Sequence, residues 1–234
     1  RLSLELGGKS PNIVFADSDM DTAVKMAASA IFYNKGEICT AGSRLLVEET
    51  IHDEFVEKLS ARAAKMVPGD PLNPETKLGP LTSEQQLKKV MSYVESGKSE
   101  GAKLLTGGNR IGTEGYFFQP TVFDQVDHTM TIARDEIFGP VLATMTFKDF
   151  EDAVKKANQT AYGLAAGIWT RDIKKAHTLA KRIKAGTVWI NTYNMYDAAM
   201  PYGGYKMSGV TRECGMEAIY EFYTQVKSVW VDLN

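Results

Sequence analysis

Four short stretches of this sequence carry residue types that do chemistry. The first is NKGEICTAGSRL, residues 34–45, where Cys39 sits in a glycine-flanked turn between two apolar runs. The thiolate is the nucleophilic form of cysteine, so this thiol is reactive if a neighbour lowers its pKa or takes its proton. A free thiol titrates near about 8.5, so a modest depression or a nearby base is enough. Ala41, Gly42 and Ser43 are small enough for a substrate carbonyl to approach the backbone closely. Backbone N–H groups in such a turn can also face a developing oxyanion. A lone cysteine reads equally as a small buried hydrophobe, and the local sequence leaves both readings open.

The second stretch is LELGGKSPN, residues 4–12. Glu5 is flanked by leucines and followed by two glycines, so its carboxylate is expected to be partly desolvated and suited to proton transfer. A salt-bridged glutamate at a strand end is the alternative. The third is ARDEIFGPVL, residues 133–142, where Glu136 precedes an apolar turn; a helix-end charge is its plainer reading. The fourth is MPYGGYKMSG, residues 200–209, which lacks the G-x-x-x-x-G-K-[ST] spacing of a phosphate loop.

These residues need a scaffold, and the hydrophobic periodicity supplies one. Strands are expected over 10–17, 44–49, 102–108, 115–126, 141–147, 165–170 and 186–192, with Pro120 marking a bulge or an edge. Ser18 and Asp21 read as a capping box opening a helix that ends near Gly36. Further helices are expected over 51–66, 83–100, 149–160, 172–184 and 212–222, with a Pro/Gly-rich loop over 67–81. Strands apolar on both faces and alternating with helices predict an α/β fold: a mainly parallel sheet with helices on both faces. A last strand over 224–233 follows once the β-α-β pattern is complete. It is expected as a C-terminal strand tail that pairs with a neighbouring subunit.

The chain has 234 residues, enough to bury a sizeable core without staples. Apolar residues make up 44% and charged residues 24%, an ordinary globular balance. The net charge of -2 does not point to nucleic acid or to an anionic membrane. No apolar run approaches the roughly 20 residues that span a bilayer. Two cysteines, Cys39 and Cys214, form no disulfide framework and fit a reducing, cytoplasmic compartment. The sequence opens on strand-like alternation without Met, so it is expected to be the C-terminal part of something longer.

Taken together, LELGGKSP, GEICTAGSRL, DEIFGPV, YGLAAGIWT, PYGGYKMSG and RECG occur in an order and spacing that resemble the NAD(P)-dependent aldehyde dehydrogenase superfamily. Each motif is weak alone; the ordered set is specific, and it selects the nucleophilic reading of Cys39. The resemblance covers the C-terminal half of such an enzyme. It implies a catalytic domain over 1–223 and an oligomerisation strand over 224–234. Most contacts to the cofactor, NAD or NADP, and a side-chain amide of the oxyanion site would then lie upstream of residue 1.

Position by position, the resemblance implies that Cys39 is the catalytic thiol and Glu5 the general base. Gly7 falls where the backbone nears the nicotinamide. Glu136 matches the acid that hydrogen-bonds the nicotinamide ribose, with Phe138 beside it; Gln86 and Lys89 fall near that ribose. Glu213 matches a carboxylate one step back in the proton relay. Asn191, Tyr193 and Tyr202 fall near the substrate tunnel, and no metal is implied. The implied reaction is oxidation of an aldehyde to a carboxylic acid through a thiohemiacetal and a thioester, in a homo-oligomer, dimer or tetramer. Transfer of the acyl group to coenzyme A and a non-enzymatic structural role are the rivals. Retention of Cys39, Glu5 and Glu136 together disfavours the second, and Glu5, a hydrolytic base, disfavours the first.

Three departures from the family pattern stand out. Glu37 replaces the usual Gln beside the nucleophile and would raise the thiol pKa if it pointed inward, although the turn is expected to direct it outward. Asp135 replaces a Glu. Tyr202 stands where many members have Phe, which adds a hydroxyl to the pocket wall.

Overall fold

A computed structural model describes residues 1–234. Its frame follows from the continuous apolar runs. Strands β2 (Pro11–Val14), β3 (Arg44–Glu48), β5 (Thr121–Asp124), β6 (Val141–Phe147), β7 (Ala165–Trp169) and β8 (Thr187–Ile190) run parallel in one sheet, with β4 (Lys103–Thr106) antiparallel at one edge. The seven strands lie in the order β4-β5-β6-β3-β2-β7-β8.

Successive side chains of a strand face opposite sides, so each central strand feeds two cores. Ile13, Leu46, Phe123 and Ile168 meet α3 (Glu84–Ser99), α5 (Phe150–Asn158) and α6 (Ile173–Arg182). Val14, Leu45, Val47 and Trp169 meet α1 (Met20–Phe32) and α2 (His52–Ala64) on the other face. The expected α/β fold, with a mainly parallel sheet and helices on both faces, is the fold observed.

Local signals moved several boundaries. The N-cap of α1 is Asp19, which accepts from the Thr22 N–H at 2.9 Å, and not Ser18, whose N–H closes a turn onto Phe15. The helix ends at Phe32; a 3-10 turn over Tyr33–Gly36 follows, with Asn34 and Lys35 left-handed. The strand expected over 115–126 shortens to Thr121–Asp124, because Pro120 cannot donate to a ladder. That strand is internal to the sheet, and the irregularity falls on its partner, where the register shifts between Leu104 and Thr106.

Two elements escaped the periodicity because each is too short to show one: a helical turn, α4 (Thr131–Arg134), and β9 (Gly209–Val210). The opening alternation becomes β1 (Leu4–Glu5), which pairs with β9 in a small second sheet. The helix expected over 212–222 is a short turn, α7 (Gly215–Ala218), that widens into a π-helix over Ile219–Tyr223. Residues 224–234 form no strand within the chain, which offers them no ladder partner. No helix is long and apolar enough to cross a membrane.

The sheet fixes where the chemistry gathers. Strands β2, β3 and β6 are neighbours and parallel, so the segments entering them emerge at one end of the sheet. Those segments carry Glu5, Cys39 and Glu136.

Candidate active site

Cys39 leads into β3 through a turn closed by Ala41 N–H to Ile38 O and Gly42 N–H to Ala30 O, each 3.0 Å. The segment entering β2 crosses closely beside it. A Cβ on Gly8 would lie 2.5 Å from the Cys39 carbonyl oxygen, so only glycine permits this approach. Glu5 is held one step upstream by the pairing of β1 with β9, Leu4 against Val210 and Glu5 against Gly209. Leu6 N–H to Ser208 O, at 2.9 Å, extends that strap. The glycine-rich stretch thus works as a backbone clamp on the glutamate and not as an anion loop.

The thiol and the carboxylate meet at Tyr202. Its hydroxyl lies 3.4 Å from Cys39 Sγ, either atom able to donate, and donates to Glu5 Oε1 at 3.5 Å. Leu4 and Leu6 are exposed and do not desolvate Glu5 as expected; the neighbours of its half-buried carboxylate are Tyr202 and Cys39. Burial pushes the Cys39 thiol pKa up; the Tyr202 hydroxyl opposes this, and Glu5 adds to it. Of the two routes the sequence left open, a lowered thiol pKa or a nearby base, the surroundings oppose the first, and a carboxylate able to accept the proton, Glu5, stands beside the thiol. Glu37 is not that influence. Its carboxylate is buried, neither turned out to solvent nor facing the sulfur, because the Thr82 N–H (3.0 Å) and Lys35 Nζ (3.1 Å) hold it.

Glu136 lies on the far side of the glycine pair. Its Oε1 accepts the Gly8 N–H at 3.1 Å, and its pKa is raised, first by burial. Gly7 touches the same carboxylate: a Cβ there would overlap it. An open groove of about 710 Å³ begins here, lined among others by Leu6, Gly7, Asp135, Glu136 and Tyr162. Gln86 Nε2 donates to the carbonyls of Ile137 (3.1 Å) and Phe138 (2.6 Å), pinning the turn in which Phe138 is left-handed. Lys89 is exposed, its ammonium 6.0 Å from the Tyr93 ring centroid. Asp135 accepts from the Tyr93 hydroxyl at 3.4 Å.

A second groove, about 690 Å³, is lined by Trp189, Met195, Tyr196, Met200, Tyr202 and Cys214 among others; Cys39 is not on its wall, and Tyr202 is the side chain that links the two. Of the three residues expected near a tunnel, Tyr202 is on this wall. Tyr193 is buried behind it, donating to Thr40 O at 2.9 Å. Asn191 bonds both backbone groups of Thr170, at 3.1 and 2.9 Å, and so ties the end of β8 to β7. Glu213 acts mainly through its backbone: its N–H and C=O pair with those of Tyr202 at 2.6 and 2.7 Å. Its carboxylate accepts from Ser3 at 3.4 Å, and no hydrogen bond joins it to Glu5.

Sequence reasoning missed four residues here. The Thr40 hydroxyl bonds the Tyr196 hydroxyl at 2.8 Å and donates to Asn194 at 3.2 Å, making a polar rim beside Cys39. Three tyrosines within 193–202 were the available signal. Lys9 is fully buried with its Nζ unpartnered, and burial, then Arg44, push its pKa down to about 7. No cluster of three His, Cys, Asp or Glu side chains converges as a metal site.

The sequence profile described as the aldehyde dehydrogenase family matches residues 1–229. Aldehyde dehydrogenase 1A1 of Mesocricetus auratus is 53% identical over 234 residues, which is 100% of this chain and 46% of that protein. The mitochondrial aldehyde dehydrogenase of Homo sapiens is 52% identical over 231 residues, 99% of this chain and 44% of that one. In structure, the NAD+ complex of an aldehyde dehydrogenase from Bacillus cereus superimposes with a TM-score of 0.97 at 47% identity, covering 100% of this chain and 48% of that one. The chain therefore spans about half the length of the curated relatives it matches. Since those relatives include a mitochondrial protein, the family does not select the cytoplasm.

Proposed function

The chain belongs to the aldehyde dehydrogenase family, and from that premise we propose that it is the catalytic half of an enzyme oxidising an aldehyde to a carboxylic acid. One observation carries the reading: Cys39 and Glu5, distant in sequence, reach the same Tyr202 hydroxyl. A nucleophile and a base with overlapping reach are what a two-stage acyl transfer requires.

In the first stage the Cys39 thiolate adds to the aldehyde carbonyl, and the Cys39 backbone N–H donates to the oxyanion. A single donor of this kind is worth about 3–4 kcal/mol in the barrier. The second oxyanion donor is assigned to the part of the protein outside residues 1–234. In the second stage Glu5 takes a proton from water, which attacks the thioester on Cys39 and releases the acid.

A nicotinamide cofactor, when bound, accepts the hydride. The residues present fit one: a half-buried carboxylate, Glu136, stands beside the open groove, and Gly7 leaves the backbone bare there. Glu136 would hold the ribose, and Gln86 would fix the Glu136 turn from behind. The NAD+ complex of the Bacillus cereus relative supports this class of cofactor. The groove that Tyr196 and Tyr202 line is the proposed path for the aldehyde. The unpaired tail, residues 224–234, is proposed as the strand that joins subunits.

The test uses the full-length protein with simple aldehydes and NAD+ or NADP+, following the absorbance of the reduced nicotinamide. Turnover is expected without coenzyme A. Cys39→Ala is expected to abolish it, and Glu5→Gln to leave a single burst, slowed because the thiol loses a proton acceptor, while steady-state turnover falls by about 10²–10⁴-fold. Turnover that depends on coenzyme A, or none with any aldehyde while iodoacetamide still labels Cys39, would refute the reading.

A further inference from the structure

We propose that the Tyr202 hydroxyl is itself a catalytic group, carrying the proton between Cys39 and Glu5 in both stages of the reaction. This rests on the roles proposed above for those two residues. The hydroxyl spans them, at 3.4 Å from Sγ and 3.5 Å from Glu5 Oε1. A phenol both donates and accepts, so one such group completes the path.

Its aim is fixed from two sides. The Tyr202 backbone is paired in both directions with Glu213, and its ring packs edge-on against Tyr196, centroids 5.8 Å apart. A phenylalanine in the same place would supply an equal apolar wall and no relay. The titratable groups facing the sulfur are Glu5 on β1, Tyr202 and Tyr196, with the Thr40 N–H favouring thiolate. Burial and then Cys39 push the Tyr202 pKa up, so the phenol stays protonated and must give one proton up as it takes another.

The step balances. The Sγ–H bond breaks as an O–H bond forms on Tyr202, and the phenol's own proton passes to Glu5. The products are thiolate, phenol and carboxylic acid. Glu5, half-buried at the end of β1, then releases that proton to solvent. In deacylation Glu5 takes a proton from water, and the same path returns it through Tyr202 to the departing thiolate, restoring thiol and carboxylate.

The experiment is a double-mutant cycle in the full-length protein, read by the pH dependence of Cys39 alkylation with iodoacetamide. Tyr202→Phe is expected to slow alkylation at pH 7 about tenfold and to raise the profile's midpoint by about one pH unit. In a Glu5→Gln background the same change is expected to have little further effect, because the acceptor is gone. A melting temperature matching the parent protein shows that Tyr202→Phe folds. An unaltered profile in Tyr202→Phe, or full additivity with Glu5→Gln, overturns the relay. Alkylation needs neither aldehyde nor nicotinamide. A coupled cycle in a protein that oxidises no aldehyde would therefore sink the proposed reaction and leave the relay standing.

Discussion

At the scale of single residues, close approach governs this site as much as charge does. Gly8 lets the segment entering β2 pass under Cys39, and any side chain there meets backbone, which cannot swing aside. Gly8→Ala is expected to displace the Cys39 turn. Displacements of about 1 Å in a catalytic group cost about 10²-fold in rate, so kcat/KM should fall by about that factor while secondary structure, read by circular dichroism, is retained. The glycine pair was visible in the sequence, but its partner was not, since spacing along the chain does not say which carbonyl will lie above. Glu37 teaches the converse. The turn was expected to direct it out to solvent, yet Thr82 N–H and Lys35 hold its carboxylate buried and away from the thiol.

At the scale of elements, contacts between helices and strands also hold the sheet at the end opposite the site, where β3 and β5 finish. One polar clamp binds α2 to β5. His52 Nε2 and Asp124 Oδ1 lie 2.9 Å apart, and His52 Nδ1 reaches Asp53 at the same distance. The His52 pKa is raised, first by the Asp124 bond, with burial opposing and Asp53 assisting. A raised folded pKa contributes stability that is full below the unfolded histidine value of about 6.5 and is lost as pH climbs through the folded value. Urea unfolding of the full-length protein is thus expected to show His52→Ala costing about 2 kcal/mol at pH 6 and less at pH 8. A cost that does not change with pH would contradict this sign. Periodicity revealed α2 and β5 as elements but not the clamp between them, which joins residues far apart in sequence.

For the whole molecule, the open question of surface is the tail. Val226, Trp230 and Leu233 are 98%, 92% and 93% exposed, an apolar segment with no place in its own sheet. Removing residues 224–234 from the full-length protein is expected to reduce its assembly size, measured by light scattering coupled to gel filtration, while an unchanged mass would refute a joining role. The sequence by itself determined the α/β class and most of the strand and helix order, and it singled out Cys39, Glu5 and Glu136 as candidate site residues. Those follow from local apolar periodicity and from ordered motifs, both of which are written along the chain. Only the tertiary structure decided that β2, β3 and β6 lie side by side, that β1 is strapped to β9, and that Tyr202 stands between the Cys39 thiol and the Glu5 carboxylate. The reason is physical: strand order and hydroxyl placement depend on pairings between distant segments, and those energies exist only once the chain has folded.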